Sequence, residues 1–225
     1  NLKIFIGQNV IRIKCKPNKK FVVITQSDTF HADAVILSSG VIGTNLLFLE
    51  KRISGVNDRF LHQFNVGEYV KDHSNVRVNV RASRSVGSLN EINKNFLEKI
   101  YMFGKHFLGR GTLMRGTGAT SGVHLDLDGD GEVDTRINLL KFSEGGRHKS
   151  DGNDFCSGPG FSLSITPIKT NSFGRIVIDK GGAPLINPGY FEEKIDLDLM
   201  KSALFFCLDL LATDPLKRYV LEIED

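Results

Sequence analysis

Cysteine is scarce in this chain, and the way it is scarce excludes two classes of protein. Cys15, Cys156 and Cys207 are odd in number, far apart and without Cys-x-x-Cys spacing. They form neither a disulfide framework nor a zinc site and read as buried free thiols. Long apolar runs are lacking too. The longest candidate, Ala203 to Leu211, is interrupted by Asp209, well short of the ~20 residues of a membrane span. No signal-peptide pattern stands in the sequence, so a soluble protein is expected and its compartment is left open. His31, His62, His106, His124 and His148 have no metal-ligand spacing among them and read as surface or satisfied residues. Ser39-Gly40 and Ser121-Gly122 lack the Gly-x-Ser-x-Gly elbow, which leaves no serine nucleophile with a base. A net charge of +3 with both signs interspersed gives no basic stripe and no nucleic-acid partner. Internal repeats and low-complexity tracts are absent.

What is present is an ordinary globular composition, 40% hydrophobic and 24% charged over 225 residues, enough for one large domain or parts of two. The most informative stretch is residues 34–47. Ala34 to Leu37 is a short apolar run, Ser38-Ser39-Gly40 follows, and an apolar-periodic segment opens after Gly43. That pattern predicts a buried parallel strand, a turn of small residues and a helix, the layout of a nucleotide-binding α/β sheet. Small residues let backbone approach a ligand closely, and a helix N-terminus offers N–H groups to an anion. Upstream, Leu2–Ile6, Val10–Ile13 and Phe21–Ile24 are β-rich runs separated by turn residues, which predicts a meander feeding that strand.

Further along, Val76, Val78 and Val80 alternate with polar residues, as in a half-exposed antiparallel strand. Ile92, Phe96, Ile100, Phe103 and Phe107 lie at helical spacing over Glu91–Leu108, and such a stripe is expected in the core. Gly109 to Gly122 reads as loop or lid. Val123–Leu127, Thr135–Phe142, Phe161–Ile168 and Arg175–Asp179 read as strands, and Asp196–Ala212 as a helix stopped by Asp214-Pro215. Asp126, Asp128, Asp130 and Asp134 stand at the first, third, fifth and ninth places of an EF-hand-like loop, with Gly131 at the sixth. The twelfth place, where a bidentate Glu closes such a site, is Ile137. An acidic turn between two strands is therefore expected, without tight calcium binding.

Four segments, in order, resemble the glucose–methanol–choline (GMC) oxidoreductases. These are the meander ending in Val35-Ile36-Leu37-Ser38-Ser39-Gly40, then Asn65-Val66-Gly67-Glu68-Tyr69-Val70-Lys71-Asp72-His73, then Gly160–Ile168 with Asn171-Ser172-Phe173-Gly174-Arg175-Ile176, and Pro184–Phe191 with Asp196 beyond. Two departures stand out. Asn45 occupies a place where the family usually has Pro, and Lys51–Phe64 lacks the Ser-Gly-Ile-Gly-Pro pattern of the alcohol oxidases. The second points towards the sugar- and polyol-dehydrogenase branch.

The resemblance implies an α/β plus α+β architecture. Residues 1–75 would be the tail of an FAD-binding Rossmann-like domain and the crossing segment, and 76–225 a truncated substrate domain with an antiparallel sheet. FAD is the implied cofactor, with Val10, Ser39, Gly40, Gly43, Asp72 and His73 expected at or beside it. The implied reaction is hydride transfer from an alcohol, polyol or sugar to flavin, with the electron acceptor undefined. The family's Gly-x-Gly-x-x-Gly turn is expected upstream and its catalytic His downstream, so no catalytic residue is assigned and the chain alone is expected to be inactive. The competing class is a non-enzymatic, β-rich carbohydrate- or calcium-binding module.

Overall fold

The computed structural model describes residues 2–18, 20–55, 63–94, 96–109, 118–144 and 155–224. In chain order the first elements are β1 (Val10–Cys15), β2 (Phe21–Thr25), β3 (Thr29–Ala32), α1 (Gly40–Leu49), β4 (Ile53–Ser54) and β5 (Val76–Ala82). Next come α2 (Leu89–Lys94), α3 (Phe96–Phe107), β6 (Ala119–Leu125), β7 (Thr135–Leu140) and β8 (Gly160–Pro167). The last are β9 (Arg175–Ile178), β10 (Pro184–Asn187), α4 (Lys194–Ala212) and β11 (Val220–Glu224). They divide into two compact units, Asn1–Asp72 with Ser172–Glu192, and His73–Asn171 with Glu193–Asp225.

In the first unit β1, β2 and β3 form the expected antiparallel meander, and β4 adds to β1 in parallel, giving the order β3-β2-β1-β4. The turn into β3 is tied by Thr25, whose hydroxyl accepts the Asp28 amide at 2.9 Å and donates to Gln8 Oε1 at 2.7 Å. β9 and β10 make an antiparallel hairpin. Two expected strands are not found. Leu2–Ile6 and Ala34–Leu37 are irregular, and neither is buried: Ile6 is 88% and Ile36 89% exposed. A strand exists only where a neighbour completes its ladder, and no described segment pairs with either run. The parallel pairing of this unit is instead that of β1 with β4.

The second unit is built on an antiparallel sheet in the order β11-β5-β8-β7-β6. Directly opposed residues share a face. Val80 opposes Phe161, Val78 opposes Leu163, and Val76 and Ile137 flank Ile165, so the β-branched alternation gathers into one apolar layer. β8 is central and buried along its whole length, its other face carrying Ser162, Ser164 and Thr166. Those hydroxyls are satisfied rather than stranded. Asn75 Nδ2 donates to Ser164 Oγ at 2.8 Å and to Thr166 Oγ1 at 2.9 Å, and Ser162 Oγ donates to Asn79 Oδ1 at 2.9 Å.

The long C-terminal helix α4 packs against β8 through Met200, Ala203, Cys207 and Leu211, spaced three and four apart as a helical stripe requires. Other expectations shift. Ala119–Gly122, expected in a loop, begins β6, while 110–117 lie outside the described residues. The aromatic stripe of α3 is on a helix as expected, but it is not core. Phe96 and Phe107 are each 74% exposed, whereas Met102, Lys105 and His106 are the half-buried residues. Periodicity identifies a face; it does not supply a partner for it.

Candidate functional site

The first unit holds a cavity of about 550 Å³ between the start of the meander, the 35–39 segment and α1. Val10 and Ile13 line it from β1, Val35 and Leu37 from the extended segment, and Gly43 and Leu46 from the helix. Gln8 also lines it, held by its hydrogen bonds to Thr25 and to Asp28 Oδ2 at 3.0 Å. The wall is mostly aliphatic, with small residues at the helix start. Ser39 sits at the N-cap but makes no capping hydrogen bond; its hydroxyl instead pairs with Thr44 Oγ1 at 3.1 Å. No acidic residue stands in the first turn. The positive end of the helix dipole is therefore offset neither by a carboxylate nor by the Ser39 oxygen.

Of the residues expected at a flavin, Val10, Ser39 and Gly43 line this cavity together. Gly40 is not on its wall. It opens α1 with φ +78°, a conformation that costs a glycine little and a β-branched residue a great deal. Asp72 and His73 lie on the irregular 71–75 segment and both are exposed. Asp72 accepts a short hydrogen bond from the Tyr190 hydroxyl, and this bond to a carboxylate raises the Tyr190 pKa.

Sequence reading missed how the motif segments knit the first unit. Gly67 donates its amide to Asn45 Oδ1 at 2.7 Å and accepts the Ile176 amide at 2.6 Å. Its φ is +86°, and a Cβ there would lie 2.4 Å from Ile176 O. Val70 and Gly174 exchange backbone bonds of 2.9 and 2.7 Å, and the Tyr69 ring meets Phe173 edge-on at 5.3 Å. Asn45 thus does something Pro cannot. Its Nδ2 donates to Val41 O at 2.7 Å while its Oδ1 receives Gly67, bridging α1 to the 65–73 segment. The signal was available in the sequence as the polar substitution at that one place.

In the second unit the Asp126–Asp134 loop joins β6 to β7. Carboxylate oxygens of Asp126, Asp128 and Asp130 lie within 4.8 Å of one another, and all three residues are exposed. Lys169 Nζ stands 2.9 Å from both Asp130 and Glu132, which hold its ammonium above the ordinary lysine range. Cys156 and Cys207 are buried free thiols, as expected. Burial raises both to about 11, with Glu224 beside Cys156 adding to the first.

The chain has the fold of a segment of the GMC flavin oxidoreductases, so the resemblance carried by the four motif segments holds at the level of fold. It is similar to a formate oxidase structure (17% identity, TM-score 0.73, 96% of this chain and 45% of that one). It is also similar to pyridoxine 4-oxidase from Mesorbium loti (16%, 0.65, 97% and 41%) and to an FAD-dependent oxidoreductase from Chaetomium thermophilum (11%, 0.69, 96% and 46%). The chain therefore spans less than half the length of these proteins. No protein-family model matches it, and no curated protein sequence does.

Proposed function

We propose that this chain is part of an FAD-dependent oxidoreductase acting on CH–OH groups of an alcohol, polyol or sugar. In this reading residues 1–75 belong to the flavin-binding domain and 76–225 to the substrate domain. The observation that carries it is the cavity lined by Val10, Ser39 and Gly43, at the start of a helix whose first turn holds no acid, in a fold shared with flavin oxidases. An aliphatic wall beside exposed helix N–H groups suits a nucleotide, whose flat apolar rings and anionic linker need those two surfaces.

The fit is partial. The sequence contains no Gly-x-Gly-x-x-Gly turn, the element that cradles a pyrophosphate. The residues present would hold one side of FAD, with the rest supplied by chain outside these 225 residues. When bound, the flavin would supply the hydride acceptor. Within this chain, Val10 and Gly43 shape the wall, Gly40 sets the entry of α1, and Asp72 and His73 belong to the segment proposed to cover the cofactor. No residue here is proposed as the base. The chain alone would bind FAD poorly and turn over nothing.

Gly40→Val tests the reading in the intact protein. It forces a β-branched residue to φ +78° at a position with open space around the new Cβ, so it re-aims the start of α1 without a packing clash. Flavin absorbance per mole of protein should fall while the circular dichroism holds. Undiminished flavin content in the folded variant would remove Gly40 and the α1 N-terminus from the cofactor site.

A further inference from the structure

The second unit holds a cavity to which the flavin reading gives no role. It measures about 400 Å³, within the ~300–1,000 Å³ of small-molecule sites. Leu139 and Phe161 line it from β7 and β8, Val86 from the turn after β5, and Leu216 and Tyr219 from the connection between α4 and β11. Into this largely apolar wall the sequence sets one cation, Lys141, just past the end of β7.

The wall is held in place by bonds that need no ligand. Glu91 accepts the amides of Val86 at 3.3 Å and Ser88 at 2.8 Å and the Ser88 hydroxyl at 2.8 Å, which fixes the turn carrying Val86. The Leu89 amide donates to Lys141 O at 2.8 Å and pins the backbone beneath the lysine. Ser83 ties the other side: its amide donates to Tyr219 O at 2.9 Å and its hydroxyl to Arg218 O at 2.8 Å. The Tyr219 ring is flanked by the guanidinium of Arg84 at 4.3 Å and that of Arg218 at 5.3 Å. A pocket whose walls are already ordered loses little affinity to ordering them.

We infer that this cavity binds a small monocarboxylate with an apolar body, its head group on the Lys141 ammonium. Lys141 is half-buried, and among the described residues neither it nor Arg84 nor Arg218 forms a salt bridge. Three cations thus stand on or beside the cavity wall with no carboxylate bound to them, and Glu91, the one acid of residues 84–91, is engaged with its own turn. A half-buried ammonium gives up part of its hydration and, unpaired, gains nothing in return. A carboxylate in the cavity supplies the missing charge through a charge-assisted bond, while its alkyl or aryl remainder meets Leu139, Phe161 and Leu216. One charge suffices, because the wall offers one ammonium and its other polar side chain, Ser85, is hydrogen-bonded to Glu91. A polyol or sugar does not suit this wall, since its hydroxyls would lose water against aliphatic carbon.

The test is calorimetric titration of the intact, flavin-loaded protein with sodium octanoate, and separately with octylamine, which has the same apolar chain and the opposite charge. Octanoate should bind one saturable site with a dissociation constant below ~1 mM, and octylamine should show none. Lys141→Met keeps the length of the side chain and removes its charge, and should weaken octanoate at least ~10-fold. Leu216→Trp adds bulk to the wall and should weaken it by as much, with circular dichroism confirming that both variants fold. Absence of saturable heat with octanoate, equal binding of octylamine, or an unchanged affinity in either folded variant would each overturn the assignment.

Discussion

The two units of this molecule differ in how much of their own core they carry. The β5–β8–β7 layer, closed by α4, buries Val78, Val80, Ile137, Phe161, Leu163 and Ile165 together with Met200, Ala203 and Cys207. The first unit contributes only Ile13, Val22 and Ile176 to the buried apolar set of the described residues, while Ile4, Ile6, Ile36 and Ile42 stand exposed. A sheet is stable when its apolar face is buried against another layer. The second unit meets that condition within this chain, whereas the first holds most of the motif residues, those of β8 and Asp196 excepted, and little of the packing. In the proposed reading the remainder of a dinucleotide-binding domain supplies the missing layer. Most of the motif residues and most of the buried core therefore lie in different units.

The largest effect should come from the core of the second unit. Ile165→Ala removes a fully buried side chain and should cost about 2–5 kcal/mol in denaturant unfolding. Ile36→Ala in the 225-residue chain should stay within about 0.5 kcal/mol, since that side chain touches water. In the intact protein the cost of Ile36→Ala should rise, because the proposal places another layer over it. Equal costs for Ile36→Ala in both settings would break the comparison on the side of the first unit.

A smaller, purely local effect separates the thiols. Cys15 is half-buried in the first unit, whereas Cys156 and Cys207 are buried in the second and raised to about 11. Alkylation depends on thiolate, so at neutral pH the latter two hold about two orders of magnitude less of the reactive form than an ordinary cysteine. Mass spectrometry after a brief iodoacetamide pulse should find Cys15 modified first and the others only on unfolding. Early labelling of Cys207 would mean that α4 does not seal its face of the sheet.

Much of this architecture was legible because the signals were local. Alternation at Val76–Val80, the turn residues after Cys15 and Thr25, and the three-and-four spacing from Met200 to Leu211 each follow from backbone periodicity alone. The failures share a different cause. Ala34–Leu37 has strand composition but no described neighbour to complete a ladder, and the α3 aromatics have helical spacing but stand mostly exposed. Partnership is a property of the folded surroundings and is not written in the segment itself. At the cavity, Val10, Ser39 and Gly43 were legible from the small-residue turn after the meander. Asn45 was noticed only as a departure, although its side chain joins two motif segments through a non-local bond.

Hydrogen–deuterium exchange of the intact protein, stripped of flavin and then reloaded with FAD, tests the central claim most directly. Exchange reports local opening free energies, so a ligand slows it where it closes the structure. The account predicts that amides of residues 10–13 and 35–47 gain protection on reloading, while β5, β7 and β8, already held by their own core, change little. An intact protein that takes up no FAD, or that takes it up with no change across 35–47, would contradict the placement of the cofactor beside β1 and α1.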